Sequence, residues 1–134
     1  MIRVDRYPAS GTILGQLLRA PLRLIPGAII LPILQGPLAG KRWIVGSGIH
    51  RLWLGSYEPA KMQLARQVTQ AGDVIFDIGA NVGIYTLLFS DRVGPSGWVV
   101  SFEPSPRNAQ FLRRHMALNS VANVQVVETA VTDT

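Results

Sequence analysis

An α/β fold, the first half of a doubly wound parallel sheet, is predicted by three features of the sequence. From Asp73 onward, short β-prone apolar runs alternate with helical stretches. A glycine-containing turn joins the first run to the first helix, and an acid, Glu103, closes the second run twenty residues beyond Gly83.

Each element of that half-sheet has its own signature. Val74-Ile75-Phe76-Asp77-Ile78 is short and apolar enough for a strand buried on both faces, and the turn after it leads into a helix over about 83–92. Gly94-Pro95-Ser96-Gly97 is a turn, Trp98-Val99-Val100-Ser101-Phe102 a second buried strand, and Pro106 starts a second helix carrying Phe111, Leu112, His115, Met116 and Leu118. Val124-Gln125-Val126-Val127 is the third strand. The order β-α-β-α-β calls for parallel strands with right-handed crossovers.

Ahead of this unit, residues 41–72 predict a hairpin and a helix. Lys41-Arg42-Trp43-Ile44-Val45 and Ile49-His50-Arg51-Leu52-Trp53-Leu54 flank Gly46-Ser47-Gly48, two β-prone runs around a short turn. Trp43 and Trp53 are expected in the core or on the hairpin face. Glu58-Pro59 then opens a helix whose apolar side is Met62, Leu64, Ala65 and Val68, with Gly72 as its stop.

Residues 1–40 form an apolar, basic, Pro-rich segment. Pro21, Pro26, Pro32 and Pro37 recur every five or six residues and Arg23 interrupts the run, so the roughly 18–20 apolar residues of a spanning helix are not there. Neither a compact signal-like apolar region nor a cleavage site is clear.

Composition sets the bounds. At 134 residues, 48% apolar and 16% charged, with mean hydropathy +0.24, the chain suits one domain with a buried core. It has no cysteine, which removes disulfides, thiolate metal sites and Cys nucleophiles and favours an intracellular, cytoplasmic setting. His50 and His115 stand far apart with no metal-ligand spacing around them, so no metal is expected. Charge is uneven: residues 1–72 hold nine Lys/Arg against Asp5 and Glu58, whereas residues 73–134 hold four Arg against six acids. A basic front could associate weakly with an anionic membrane surface, but its scattered residues fit plain solvated surface better.

The chemistry concentrates in Asp77-Ile78-Gly79-Ala80-Asn81-Val82-Gly83. Gly79 and Gly83 let a backbone turn sharply and approach a ligand, and Asn81 tolerates left-handed backbone. Glu103 can accept hydrogen bonds from both hydroxyls of a ribose. The glycines read Gly-x-x-x-Gly rather than the Gly-x-Gly-x-x-Gly that seats a pyrophosphate, and Asp77 precedes them. A carboxylate there opposes a pyrophosphate and suits the ammonium of a methionine moiety. The pattern therefore favours S-adenosylmethionine over a dinucleotide. His115, beside Phe111 and Leu112 on one helix side, is expected to be packed rather than to act as a base.

These residues, with Gly55-Ser56-Tyr57-Glu58, Tyr85-Thr86, Phe102-Glu103-Pro104-Ser105-Pro106, Leu118-Asn119, Asn123-Val124 and Ala130-Val131-Thr132-Asp133, resemble the FkbM family of methyltransferases over about residues 55–133. The resemblance implies a class I methyltransferase (Rossmann-like) fold and methyl transfer from S-adenosylmethionine to an oxygen of a sugar, glycolipid or secondary metabolite. A small-molecule or glycan acceptor is implied, not a nucleic acid. Carried over residue by residue, Asp77, Gly79, Asn81 and Gly83 line the methionine and ribose side, and Glu103 holds the ribose. Pro104 borders the adenine, with Thr129 and Ala130 near its edge. Tyr57 and Glu58 match the pattern without an assigned role.

The departure from the family is at the end: Thr134 follows directly on the third strand, so residues 73–134 read as a partial domain. No catalytic base is assigned, and the chain alone is expected to be inactive. The alternative is a non-catalytic remnant acting through residues 1–72 on a membrane surface or a partner; an NAD-dependent oxidoreductase ranks below both.

Overall fold

A computed structural model describes residues 20–133, so the first part of the apolar, basic N-terminal segment lies outside the described residues, as does Thr134. A 3-10 turn at Ala20–Leu24 precedes strands β1 (Ile30–Pro32) and β2 (Arg42–Ile44) and a second 3-10 turn, Val45–Ser47. Helices α1 (His50–Leu54) and α2 (Pro59–Val68) follow, then β3 (Val74–Ile78), α3 (Ile84–Val93), β4 (Trp98–Phe102), α4 (Pro106–Leu118) and β5 (Val124–Val127).

From Val74 the alternation read from the sequence is the one found. β3, β4 and β5 form a parallel sheet in that spatial order, with Asp77 opposite Ser101 and Ile78 opposite Phe102. The ends of α4 are set locally. Pro106 sits in its first turn, where a missing N–H is harmless, and the Ser105 side chain caps the Asn108 N–H. Asn123 then ties the sheet to α3, accepting from the Ser90 hydroxyl and donating to the carbonyls of Ser90 and Gly94.

The hairpin expected over residues 41–54 needs correction. An antiparallel pair does form, but between β1 and β2, with Leu31 opposite Trp43 and Pro32 opposite Arg42. Residues 50–54 are helical instead, capped by an extended Ile49: Leu52 and Trp53 are buried, Ile49 and Arg51 are exposed, and Gly55 ends the helix in left-handed conformation. The upstream partner wins because β1 supplies both backbone hydrogen bonds and burial. Ile33 donates to Lys41, Val45 to Ile29 and Gly46 to Gly27, while Ile33 and Leu38 enter the core.

The ladder alternation leaves the N–H groups of Arg42 and Ile44 pointing away from β1. Side chains in the last turn of α4 and at its C-cap receive them. Asn119 accepts from the Arg42 N–H at 2.8 Å and donates to the Arg42 carbonyl at 2.9 Å; His115 Nε2 accepts from the Ile44 N–H at 3.2 Å. Residues 115 and 119 are one helical turn apart, a spacing close to that of alternate residues on a strand. For the same reason Pro32 costs nothing, because its partner Arg42 has no need of it.

A further correction concerns β3. Ile75 and Asp77 face α3, but Val74, Phe76 and Ile78 on the other face are largely exposed, as is Trp98 on β4. Phe76 stacks on Phe102 across the sheet, centroids 6.3 Å apart. Among the described residues nothing covers this apolar face, and β3 is an edge strand. The core lies on the opposite face, where Ile84, Leu87, Leu88, Leu112 and Met116 meet Trp43, Val45, Leu52 and Trp53. Among the described residues no helix is long and apolar enough to cross a membrane.

Candidate functional site

The turn after β3 is built by three left-handed residues, Gly79 (φ +76°), Asn81 (φ +52°) and Gly83 (φ +95°). The N–H groups of Gly79 and Ala80 both reach the Phe102 carbonyl, at 2.9 and 3.0 Å, so the turn is hung from the end of β4. Glu103 completes the attachment. Its carboxylate accepts the Asn81 N–H at 2.8 Å through Oε2 and the Ser105 N–H at 2.9 Å through Oε1. Charge-assisted bonds of this kind are about twice as strong as neutral ones, and a carboxylate has lone pairs beyond these two for hydroxyls of a ligand.

The two glycines do different work. A side chain at Gly79 would enter open space, whereas a Cβ at Gly83 would stand 2.9 Å from Leu112 Cγ. The close approach of α3 to α4, rather than ligand contact, accounts for Gly83.

Asp77 ends a buried polar chain. It is 9% exposed, its Oδ2 accepts from the Thr86 hydroxyl at 2.6 Å, and Thr86 and Ser101 hydroxyls lie 2.9 Å apart. Burial raises the Asp77 pKa above the usual carboxylate value, with the Thr86 hydrogen bond opposing it. A cation brought to this carboxylate would offset the cost of its burial.

Asp77, Gly79 and Asn81 line a cavity of about 390 Å³ together with Tyr57 and Tyr85. Residues 47–49 and Leu52 supply another part of its wall, and Arg107 and Asn108, from the first turn of α4, a third. The size suits a drug-sized or nucleotide-like ligand. Of the other predicted residues, Glu103 is buried and holds the turn, Gly83 is packed on α4, and Pro104, Thr129 and Ala130 are exposed at the carboxyl ends of β4 and β5 without lining this cavity. Glu58, in left-handed conformation at φ 39°, acts through Tyr85: the phenol donates to Glu58 at 3.0 Å while Lys61 donates to the same carboxylate at 2.6 Å. Those two bonds lower the Glu58 pKa, and burial together with Glu58 raises that of Tyr85. Among the described residues no group of three or more His, Asp or Glu side chains gathers to hold a metal ion.

His115 is fully buried and packed, stacked on Trp43 with centroids 3.6 Å apart. Because Nε2 accepts, Nδ1 carries the proton and donates to the Val82 carbonyl at 2.7 Å. One imidazole thus joins β2, α4 and the glycine turn. The sequence offered no local signal for Ser47, Arg107 or Asn108 as cavity residues. Thr86 was detectable as a hydroxyl on the inward side of the first helix, nine residues after Asp77.

No family model matches the sequence. Over 62 residues the chain is 40% identical to the 31-O-demethyl-FK506 methyltransferase FkbM of Streptomyces tacrolimicus, a stretch that is 46% of this chain and 23% of that protein. The chain therefore spans about a quarter of the curated relative it matches. Among solved structures, a protein-L-isoaspartate O-methyltransferase is 27% identical with a TM-score of 0.51 over 55% of this chain and 24% of that one. Trm5b from Pyrococcus abyssi (22% identical, TM-score 0.51, 66% of this chain, 24% of that one) and a SAM dependent methyltransferase from Aquifex aeolicus (22%, 0.50, 62% and 43%) share the fold. The fold is that of part of a class I methyltransferase, and the chain is FkbM-like in sequence. The expectation that nucleic acid is not an acceptor draws no support from these likenesses, since a further structure of this fold is described as an rRNA-methylase.

Proposed function

We propose that this chain is the cofactor-binding portion of an S-adenosylmethionine-dependent O-methyltransferase whose acceptor is a hydroxyl of a sugar, glycolipid or secondary metabolite. The observation that carries the reading is the pairing of a buried carboxylate, Asp77, with an open glycine turn clamped by Glu103, at the carboxyl ends of adjacent parallel strands. In open α/β sheets this is where ligands bind. FkbM itself, by its name, methylates an oxygen at position 31 of its acceptor, which supports the hydroxyl class.

The residues present fit the cofactor. Asp77 meets the ammonium of the methionine portion, Gly79 leaves space for the chain to pass, and the free lone pairs of Glu103 take the ribose hydroxyls. Pro104, Thr129 and Ala130, on the rim beyond the clamp, are on the adenine side. When bound, the cofactor supplies an activated methyl on sulfur, so the protein's contribution is largely orientation and exclusion of water. Tyr57 and Tyr85 shape the wall of the cavity, and Glu58 fixes the Tyr85 ring by its phenol. A hydroxyl acceptor would gain from a base; none is assigned among the described residues.

Calorimetric titration of the protein with S-adenosylhomocysteine and with NAD tests the reading. Binding of S-adenosylhomocysteine and not NAD is expected. Tight NAD binding without S-adenosylhomocysteine would overturn it.

A further inference from the structure

We propose that the Ser47 hydroxyl is a cofactor-binding group, contributed by the N-terminal segment and directed at the carboxylate of the amino-acid portion of S-adenosylmethionine. The proposal rests on the reading of the cavity as that cofactor's site. Ser47 ends the 3-10 turn after β2, lines the cavity and is 1% exposed. Its Oγ is buried with no hydrogen-bond partner among the described residues. Buried hydroxyls are nearly always paired, because an unpaired one has lost water and gained nothing.

The other polar groups around the cavity do not share this state. Asp77 accepts from Thr86, Tyr85 donates to Glu58, and Arg107 donates to Asn108 at 3.3 Å. Asn81 is exposed and Tyr57 half-buried, so water can serve them.

Nor does the fold require the hydroxyl. The turn is held from behind by backbone groups, Val45 N–H on Ile29, Gly46 N–H on Gly27 at 2.8 Å, and Ile44 N–H on His115. A serine hydroxyl that the turn does not use, on a residue that lines a cavity, is available to a ligand. The choice of the carboxylate follows from charge. Asp77 is the carboxylate lining this cavity and so the partner for an ammonium; of the donors in the wall, Arg107 carries the charge that draws a carboxylate, while Ser47 is the buried one that lacks a partner.

Ser47→Ala removes only the unpaired oxygen and should fold. Titration of the wild-type and variant proteins with S-adenosylhomocysteine and with 5′-methylthioadenosine, which lacks the amino-acid portion, separates the outcomes. The variant should bind S-adenosylhomocysteine about tenfold more weakly, as expected for a lost hydrogen bond to a charged group. It should bind methylthioadenosine as the wild type does. The thermal midpoint of the ligand-free variant should be unchanged or higher, since no partner is lost. Ser47→Cys, with a weak donor in the same shape, should show the same selective loss. Equal S-adenosylhomocysteine affinities, or a parallel loss for both ligands, would overturn the assignment. Failure of the wild type to bind S-adenosylhomocysteine at all would instead remove the cofactor reading, and this proposal with it.

Discussion

Protonation of His115 should loosen the attachment of the N-terminal strand to the glycine turn. In the folded protein Nε2 must stay unprotonated to accept the Ile44 N–H, and the ring lies against Trp43 with no exposed surface. Burial lowers its pKa from 6.5 to about 4, with the Val82 hydrogen bond opposing and Arg114 adding to the shift. The unfolded chain takes up a proton below 6.5 that the folded chain refuses until about 4. Stability from this group is therefore complete above the upper value and is lost as pH falls towards the lower one. At about 1.4 kcal/mol per pKa unit the full loss is about 3 kcal/mol, of which about 2 kcal/mol falls between pH 7 and pH 5. Urea unfolding at those two pH values, for wild type and His115→Gln, measures it. The wild type should lose the stated amount and the variant, less stable at pH 7, should show a much flatter response. Equal pH responses in the two proteins would refute the account, whatever their absolute stabilities.

Glu103→Ala should weaken S-adenosylhomocysteine binding at least about tenfold, given roughly 1.5–3 kcal/mol for each hydrogen bond to a charged group, and calorimetry reads this directly. Glu103→Gln should also destabilise the fold in thermal unfolding, because an amide NH₂ would face either the Asn81 or the Ser105 N–H that the carboxylate now accepts; a variant as stable as wild type would show that the clamp is not needed. Gly83→Ala should cost about 1–3 kcal/mol through overpacking against Leu112 and left-handed strain, whereas Gly79→Ala should cost only the backbone strain while still blocking ligand binding; equal stabilities would contradict the distinction. The 134-residue chain should self-associate through the β3 edge, unpaired among the described residues, and its exposed Val74, Phe76 and Ile78, and Phe76→Lys should reduce this in sedimentation velocity; a monodisperse wild-type monomer would refute it.

By itself the sequence determined the parts of this protein whose causes are local. Alternation of β-prone runs with helical stretches specified β3 to β5 and the helices between them, since strand and helix periods are written in neighbouring residues. Glycine spacing marked the turn, because left-handed backbone at Gly79 and Gly83 is a property of single positions. Tertiary structure decided the rest. Whether Ile49 to Leu54 would be strand or helix depended on β1, which is separated from it in sequence and claims β2 as its partner. The apolar character of Val74, Phe76 and Ile78 signals burial but does not say which surface provides it, and among the described residues none does. Glu103 reaches across 22 positions to hold Asn81, His115 links to Ile44 across 71, and the lack of a partner for Ser47 shows only in the folded surroundings. Such contacts form only when the chain is folded, because a hydrogen bond needs both groups within about 3 Å, and no short window of sequence contains both.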